Sequence, residues 1–313
     1  MKKFIFPFLL VVFLIQGCSD QPKEESSNEN QLPIEGVWKR LGTLRVVNGI
    51  PVDTLLIADS DDKLFTQAKI LAYGHSMWVN NTGDTVNSPW KGGMGGFGKY
   101  EMKDGNILTE KMQSGAGWFG GSLDYYKDSL GVKFREFDLL VDVDENIYSQ
   151  STVDSNGVVN SFHELWQKQK DVAEKTKLDG LWKRVFEISY INGIAVDTVS
   201  VPDDAILDVK VMKNGHFVYT VDRTGLHQPD EAMYGGSGAY GKFKYSNGNL
   251  VEYTEFTAGN YYFPPRVQEP YSSRLAAYHS VEFYDDDMFL QIAKDTLKQN
   301  FVGRGLVYER IKN

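Results

Sequence analysis

The sequence predicts an all-β fold of two tandem antiparallel domains behind an export leader, and three observations carry it. Gly36-Val37-Trp38-Lys39-Arg40 returns as Gly180-Leu181-Trp182-Lys183-Arg184, and 182 minus 38 is 144. At the same spacing Asn48-Gly49-Ile50-Pro51-Val52-Asp53-Thr54 returns as Asn192-Gly193-Ile194-Ala195-Val196-Asp197-Thr198, with six of seven residues identical. Apolar residues alternate with polar ones, as in Leu207-Asp208-Val209-Lys210-Val211, which is the period of a strand. Asn-Gly and Asp-Gly pairs then punctuate the chain at Gly49, Gly105, Gly157, Gly193, Gly215 and Gly248. Such pairs supply the positive φ that a two-residue hairpin requires.

At the amino terminus Lys2 and Lys3 precede an apolar run from Phe4 to Ile15. As a helix that run would span about 18 Å, short of the ~30 Å hydrocarbon core, so it reads as a secretory leader. Ile15-Gln16-Gly17-Cys18 resembles the lipobox of bacterial lipoproteins, although Gln16 is not the commonest residue at its place. That resemblance implies cleavage after Gly17 and a lipid on Cys18, the single cysteine of the chain. A thiol consumed in this way leaves none for a disulfide or a nucleophile. The expected units are a signal peptide 1–17, a lipidated cysteine and tether 18–32, a first barrel 33–168, a linker 169–178 and a second barrel 179–313. The tether is too polar to order itself and would reach roughly 20 Å. Its Lys23-Glu24-Glu25 is similar to tags that send some lipoproteins to the cell surface.

Losing Lys2 and Lys3 leaves 31 basic against 42 acidic side chains, a net −11. That balance argues against nucleic acid and against lying flat on anionic lipid. No long segment keeps a helical period. Short strands at close spacing point to a sandwich or an up-and-down barrel.

Gly180-Leu181-Trp182, the hairpin from Lys210 through Asn214-Gly215 to Phe217, Gly238-Ala239-Tyr240 and Tyr308-Glu309-Arg310 together resemble the lipocalin-like domains of uncharacterised secreted bacterial proteins. Copy one carries Gly36-Val37-Trp38, Lys69 to Ser76, Gly98-Lys99-Tyr100 and Glu164-Leu165-Trp166 in the same order, with Tyr73 and Ser76 where copy two has Asn214 and Phe217. The resemblance implies an up-and-down barrel enclosing a cavity, suited to an apolar ligand, with Trp38 and Trp182 closing its base.

Chemistry is sparse. Gly93-Met94-Gly95-Gly96-Phe97-Gly98 has the spacing of a dinucleotide loop, yet a strand and a turn follow where a helix is needed. Asp142-Val143-Asp144-Glu145-Asn146 starts like a calcium loop but has Ile147 where glycine is required. The histidines, His75, His163, His216, His227 and His279, have no metal-ligand spacing. Glu110, Glu252 and Glu255 lie on or near strands and could face a cavity. No enzyme, cofactor or metal is expected.

Aromatics stand out instead. Trp78, Tyr100, Trp118 and Phe119 in copy one, and Tyr219, Tyr240, Tyr261 and Tyr262 in copy two, are the candidate ligand-lining residues, since pockets combine aromatic walls with a few polar groups. Trp78 and Tyr219 are 141 apart, like Gly74 and Gly215; Tyr100 and Tyr240 are matched at 140. Tyr219 is expected to face inward with Tyr240, with Tyr262 at the mouth. The expected role is binding or sequestering a small, partly apolar molecule at the envelope, on the outer membrane. The rivals are a surface glycan-binding or assembly protein with solid barrels and, more remotely, an isomerase or cyclase. Each barrel is expected to bury its own core.

Overall fold

The computed structural model describes residues 34–47, 50–56, 66–81, 94–117, 136–152, 162–202, 207–222, 236–258, 276–294 and 302–312. The leader, Cys18 and the tether lie outside them, as do Trp118, Phe119, Tyr261 and Tyr262. The first repeat contributes β1 (Gly36–Val47), β2 (Ile50–Leu56), β3 (Thr66–Ala72), β4 (His75–Asn81), β5 (Met94–Lys103), β6 (Ile107–Gly117), β7 (Glu136–Val143), β8 (Ile147–Thr152) and β9 (Phe162–Lys168). The second repeats them as β10 (Gly180–Ile191), β11 (Ile194–Ser200), β12 (Leu207–Lys213), β13 (His216–Asp222), β14 (Gly236–Ser246), β15 (Asn249–Ala258), β16 (Ala276–Phe283), β17 (Met288–Ala293) and β18 (Val302–Arg310).

Every pairing is antiparallel; β1 pairs with β3 and β10 with β12, the remaining strands pair with their chain neighbours, and β1–β9 and β10–β18 close each sheet on itself. The first strand of each barrel is shared. Gly36 to Lys39 pair with β3, and from Gly42 onward the same edge takes β2. β2 therefore stands outside a ring of eight strands, and β11 does the same in the second barrel. The molecule is a lipocalin-like double barrel of up-and-down strands: the alternation and hairpin signals allow a sandwich or a barrel, and the barrel that the resemblance implies is the one formed.

The hairpin turns carry positive φ at both central residues: Asp104-Gly105, Asn192-Gly193, Asn214-Gly215 and Asn247-Gly248. Tyr73-Gly74 does so too, with φ 55° at a bulky residue that disfavours it. Backbone bonds tie these turns, apart from Asn192-Gly193, together with those at Asn146 and Asp287 into a ring at one end of each barrel. Tyr100 N donates to Gly74 O, Val141 N to Asn106 O and Lys168 N to Asn146 O. Phe243 N to Gly215 O, Val281 N to Gly248 O and Arg310 N to Asp287 O repeat the set.

That end is the closed base. Trp38 and Trp182 are fully buried there, their indole N–H groups donating to Ile34 O at 2.9 Å and Leu178 O at 2.8 Å. A cation from the last strand covers each ring: Lys168 over Trp38 at 5.6 Å, and Arg310 over Trp182 at 4.1 Å. The segment read as a linker docks on the second base, with Val172 N and Ala173 N donating to Asn214 O.

Each barrel has a base core, but a third core belongs to both, which the expectation of two self-contained cores did not include. Val37, Ala68, Ile70, Met77, Val79 and Phe97 of the first barrel pack with Val209, Val211, Val218, Tyr240 and Phe256 of the second. β3, β4, β5 and β6 face β12, β13, β14 and β15 there. Lys39 pairs with Glu255 across the seam, and Tyr73 Oη donates to Met212 O at 3.2 Å. The outer apolar faces of these strands are thus buried against one another.

Candidate functional site

With Val209 and Val211 turned to the seam, strand alternation sends Asp208, Lys210 and Met212 into the second barrel. β3 likewise points Gln67, Lys69 and Leu71 inward. The interiors are consequently polar above the Trp-sealed base. Lys69 Nζ lies 3.0 Å from Glu110 Oε1 and 2.9 Å from Gln150 Oε1. Lys210 Nζ lies 2.8 Å from Glu252 Oε1 and 3.2 Å from Gln291 Oε1. These are equivalent residues, offset by 141, 142 and 141. Aromatic rings cage both ammonium groups: Trp166 stands 5.3 Å from Lys69, and Tyr308 5.1 Å from Lys210. Ser76 Oγ gives Glu110 a second donor at 2.7 Å. In the second barrel Phe217 takes that place, and His279 Nε2 approaches Glu252 Oε2 at 3.3 Å instead.

A second polar layer belongs to the first strands. Arg40 is held by Glu164, by Gln67 at 3.0 Å and by Thr43 at 3.0 Å. Its counterpart Arg184 pairs with Asp208 at 3.0 Å and Glu187 at 3.4 Å.

Burial alone would push the Glu252 carboxyl up, but the charges of Lys210 and His279 outweigh it and hold the pKa at about 2. Burial likewise works against the Lys210 ammonium, and the Glu252 carboxylate outweighs it, so that pKa is raised. The pair is ionised at neutral pH. Among the described residues no three His, Cys, Asp or Glu side chains converge as a metal site.

The structure divides the aromatics chosen from the sequence. Trp78 and Tyr219 hold equivalent inward positions, paired across their hairpins with Lys69 and Lys210. Tyr100 faces inward but belongs to the base, its hydroxyl donating to Glu35 at 3.2 Å. Tyr240 corrects the expectation that it joins Tyr219. It faces the seam, fully buried, with its hydroxyl donating to His216 Nδ1 at 3.0 Å. Its counterpart is Phe97, since Met77 pairs with Phe97 and Val218 with Tyr240. Tyr100 corresponds to Phe243, a shift of 143 where sequence matching gave 140. Of the carboxylates, Glu110 and Glu252 face inward, whereas Glu255 faces Lys39 and Lys242 outside.

Sequence reasoning singled out Glu110 and Glu252 but missed their lysine and glutamine partners and both arginines. The available signal was repeat-matched polar residues on strands with an apolar opposite face.

Comparison with protein-family models and with curated proteins finds no match. Among solved structures, an uncharacterised protein from Bacteroides eggerthii is 13% identical, with TM-score 0.25, over 43% of this chain and 98% of its own. A Nostoc punctiforme protein of unknown function from the DUF3598 family is 10% identical, with TM-score 0.22, over 90% of this chain and 97% of its own. A transferrin binding protein B from Haemophilus parasuis is 8% identical, with TM-score 0.18, over 88% of this chain and 76% of its own. Similarities of this size carry no argument, and the double barrel rests on its strand pairings.

Proposed function

We propose that this is a lipid-anchored cell-envelope protein, held through Cys18, whose barrels bind or sequester a small, partly apolar molecule. One observation carries the reading. Tyr219 points into the second barrel above the Lys210 cluster and is only partly buried, so among the described residues its ring is not closed over. Trp78 repeats the position in the first barrel, giving each an aromatic wall over a polar floor. A charged Lys210 is the opposite of what an amine nucleophile needs, which favours binding over catalysis.

An apolar fluorescent probe should bind the full chain and quench its aromatic emission. Tyr219→Ala should weaken that binding by ~1–2 kcal/mol, the scale of one lost aromatic contact. A folded protein that binds no such probe, with Tyr219→Ala costing only stability, sinks the reading and favours solid barrels serving assembly.

A further inference from the structure

β11 stands outside the ring of eight strands, and all seven of its residues are exposed. Ile194 is 69% exposed, and Val196 and Val199 are each about half exposed. Apolar side chains gathered on a solvated strand mark an interaction surface. β11 also ends its sheet, so its outer edge pairs with no strand among the described residues. A row of unmet backbone donors and acceptors is a template for another strand.

The first barrel blocks the same edge and the second does not. In the repeated Asn-Gly motif the single difference is Pro51 against Ala195. The turns close on the pairs Val47–Ile50 and Ile191–Ile194. A closing pair exchanges its hydrogen bonds across the hairpin, so the next residue turns its backbone nitrogen outward. In β2 that residue is Pro51, which has no N–H and interrupts a ladder. In β11 it is Ala195, and the donor is present. A bulge at Val52 recurs at Val196, so it does not set the two edges apart.

Charge decides what can lie along this edge. Asp197 is the one charged side chain of β11 and stands at its centre. Lipid would have to bury that carboxylate without a partner. A second copy pairing along the whole strand would set two Asp197 carboxylates face to face, which is destabilising. A strand with a cation at its centre meets neither penalty.

We propose that the outer edge of β11 docks an extended segment of another protein, which adds a strand to the second barrel's sheet. The segment carries β-branched side chains beside Val196 and Val199 and a lysine or arginine opposite Asp197. Backbone bonds supply the affinity and the cation the preference. The surface is separate from the barrel interiors and does not depend on what they hold.

The test titrates the full chain into a dye-labelled peptide, Thr-Val-Thr-Lys-Val-Thr-Val, followed by fluorescence anisotropy. Its comparators carry glutamate in place of the lysine, or proline in place of each valine. The lysine peptide should bind about fivefold tighter than the glutamate peptide, and the proline peptide should not bind. Ala195→Pro should weaken the lysine peptide at least tenfold and melt with the parent chain, since the first barrel has proline at that place. Asp197→Lys should reverse the preference between lysine and glutamate. The inference fails if no peptide binds, or if Ala195→Pro binds the lysine peptide as well as the parent does. It fails equally if the chain alone forms dimers in sedimentation that Ala195→Pro dissolves, because the edge then serves a second copy.

Discussion

Lys210 Nζ and Glu252 Oε1 lie 2.8 Å apart inside the second barrel, with less than a tenth of either side chain exposed. Lys69 and Glu110 repeat the pair at 3.0 Å in the first. Removing two charges from water is tolerable only when the remaining donors and acceptors are also met. Gln291 and Gln150 supply part of that. Breaking one partner should accordingly cost far more than removing both. Lys210→Met is expected to destabilise by about 3–5 kcal/mol in urea unfolding, and Lys210→Met with Glu252→Leu to recover most of the loss. Equal losses for the single and double variants would show that the pair is not coupled.

Acid sensitivity should come in two windows. Burial lowers the pKa values of His75 and His216 below 6.5. The unfolded chain then binds protons more readily than the folded one, so their contribution is present above 6.5 and lost as pH falls below it. Glu252, held at about 2 against an ordinary 4.5, contributes above 4.5 and loses that contribution as pH falls from 4.5 toward 2. Calorimetric Tm against pH should therefore fall in both ranges. His216→Phe should flatten the upper step and Glu252→Gln the lower, each leaving the other in place.

Each barrel closes its own hydrogen-bond ring, yet Ile70, Met77, Val209 and Val218 would face water if the halves were parted. Fragments 33–168 and 179–313 should each form sheet by circular dichroism and combine one to one in sedimentation. Val218→Asp in the second fragment should weaken that combination at least tenfold, by burying an unpaired carboxylate in an apolar seam. Fragments that stay monomeric on mixing, at concentrations where each is folded, would count against a shared core.

Glycine is required at the bulges of β5 and β14. A Cβ on Gly98 would strike the backbone carbonyl of Lys111, and one on Gly241 that of Tyr253. Gly241→Ala should destabilise by about 1–3 kcal/mol or more, because backbone rather than a flexible side chain must give way. Gly105→Ala meets no neighbour, so its penalty comes only from its φ of 79°. A smaller loss in thermal melts at Gly241 than at Gly105 would contradict the account.

Period and turn chemistry made the strands legible, because hairpin glycines and two-residue alternation are local. Which face points inward was not. In β12 Val209 and Val211 are as buried as Asp208 and Lys210. Alternation separates the two faces, but only the second barrel's presence explains why the apolar one lies outside. The Lys-Glu-Gln sets were hidden for the same reason, since a charged residue on an alternating strand reads as solvent-facing. The glycine-rich entry to β5 misled the repeat matching. Phe97-Gly98-Lys99-Tyr100 corresponds to Tyr240-Gly241-Lys242-Phe243, and aligning glycine with glycine three residues earlier set Tyr100 against the wrong partner.

The seam between the barrels has a symmetry of its own. β4 meets β13, its own counterpart, as β3 meets β12 and β5 meets β14. The contact of β4 with β15 is returned by that of β6 with β13. A Cβ at Gly95 would touch Thr220, and one at Gly238 would touch Val79, which are equivalent pairs. A surface that meets its own equivalent in this way is isologous, the arrangement of a two-fold homodimer. A single barrel bearing this face would be self-complementary and would pair only as concentration allowed. Joined in one chain, the two halves see each other at an effective concentration on the order of millimolar, whatever the abundance of the protein. The duplication makes permanent what would otherwise be an equilibrium, and frees each half to change its interior without disturbing its partner.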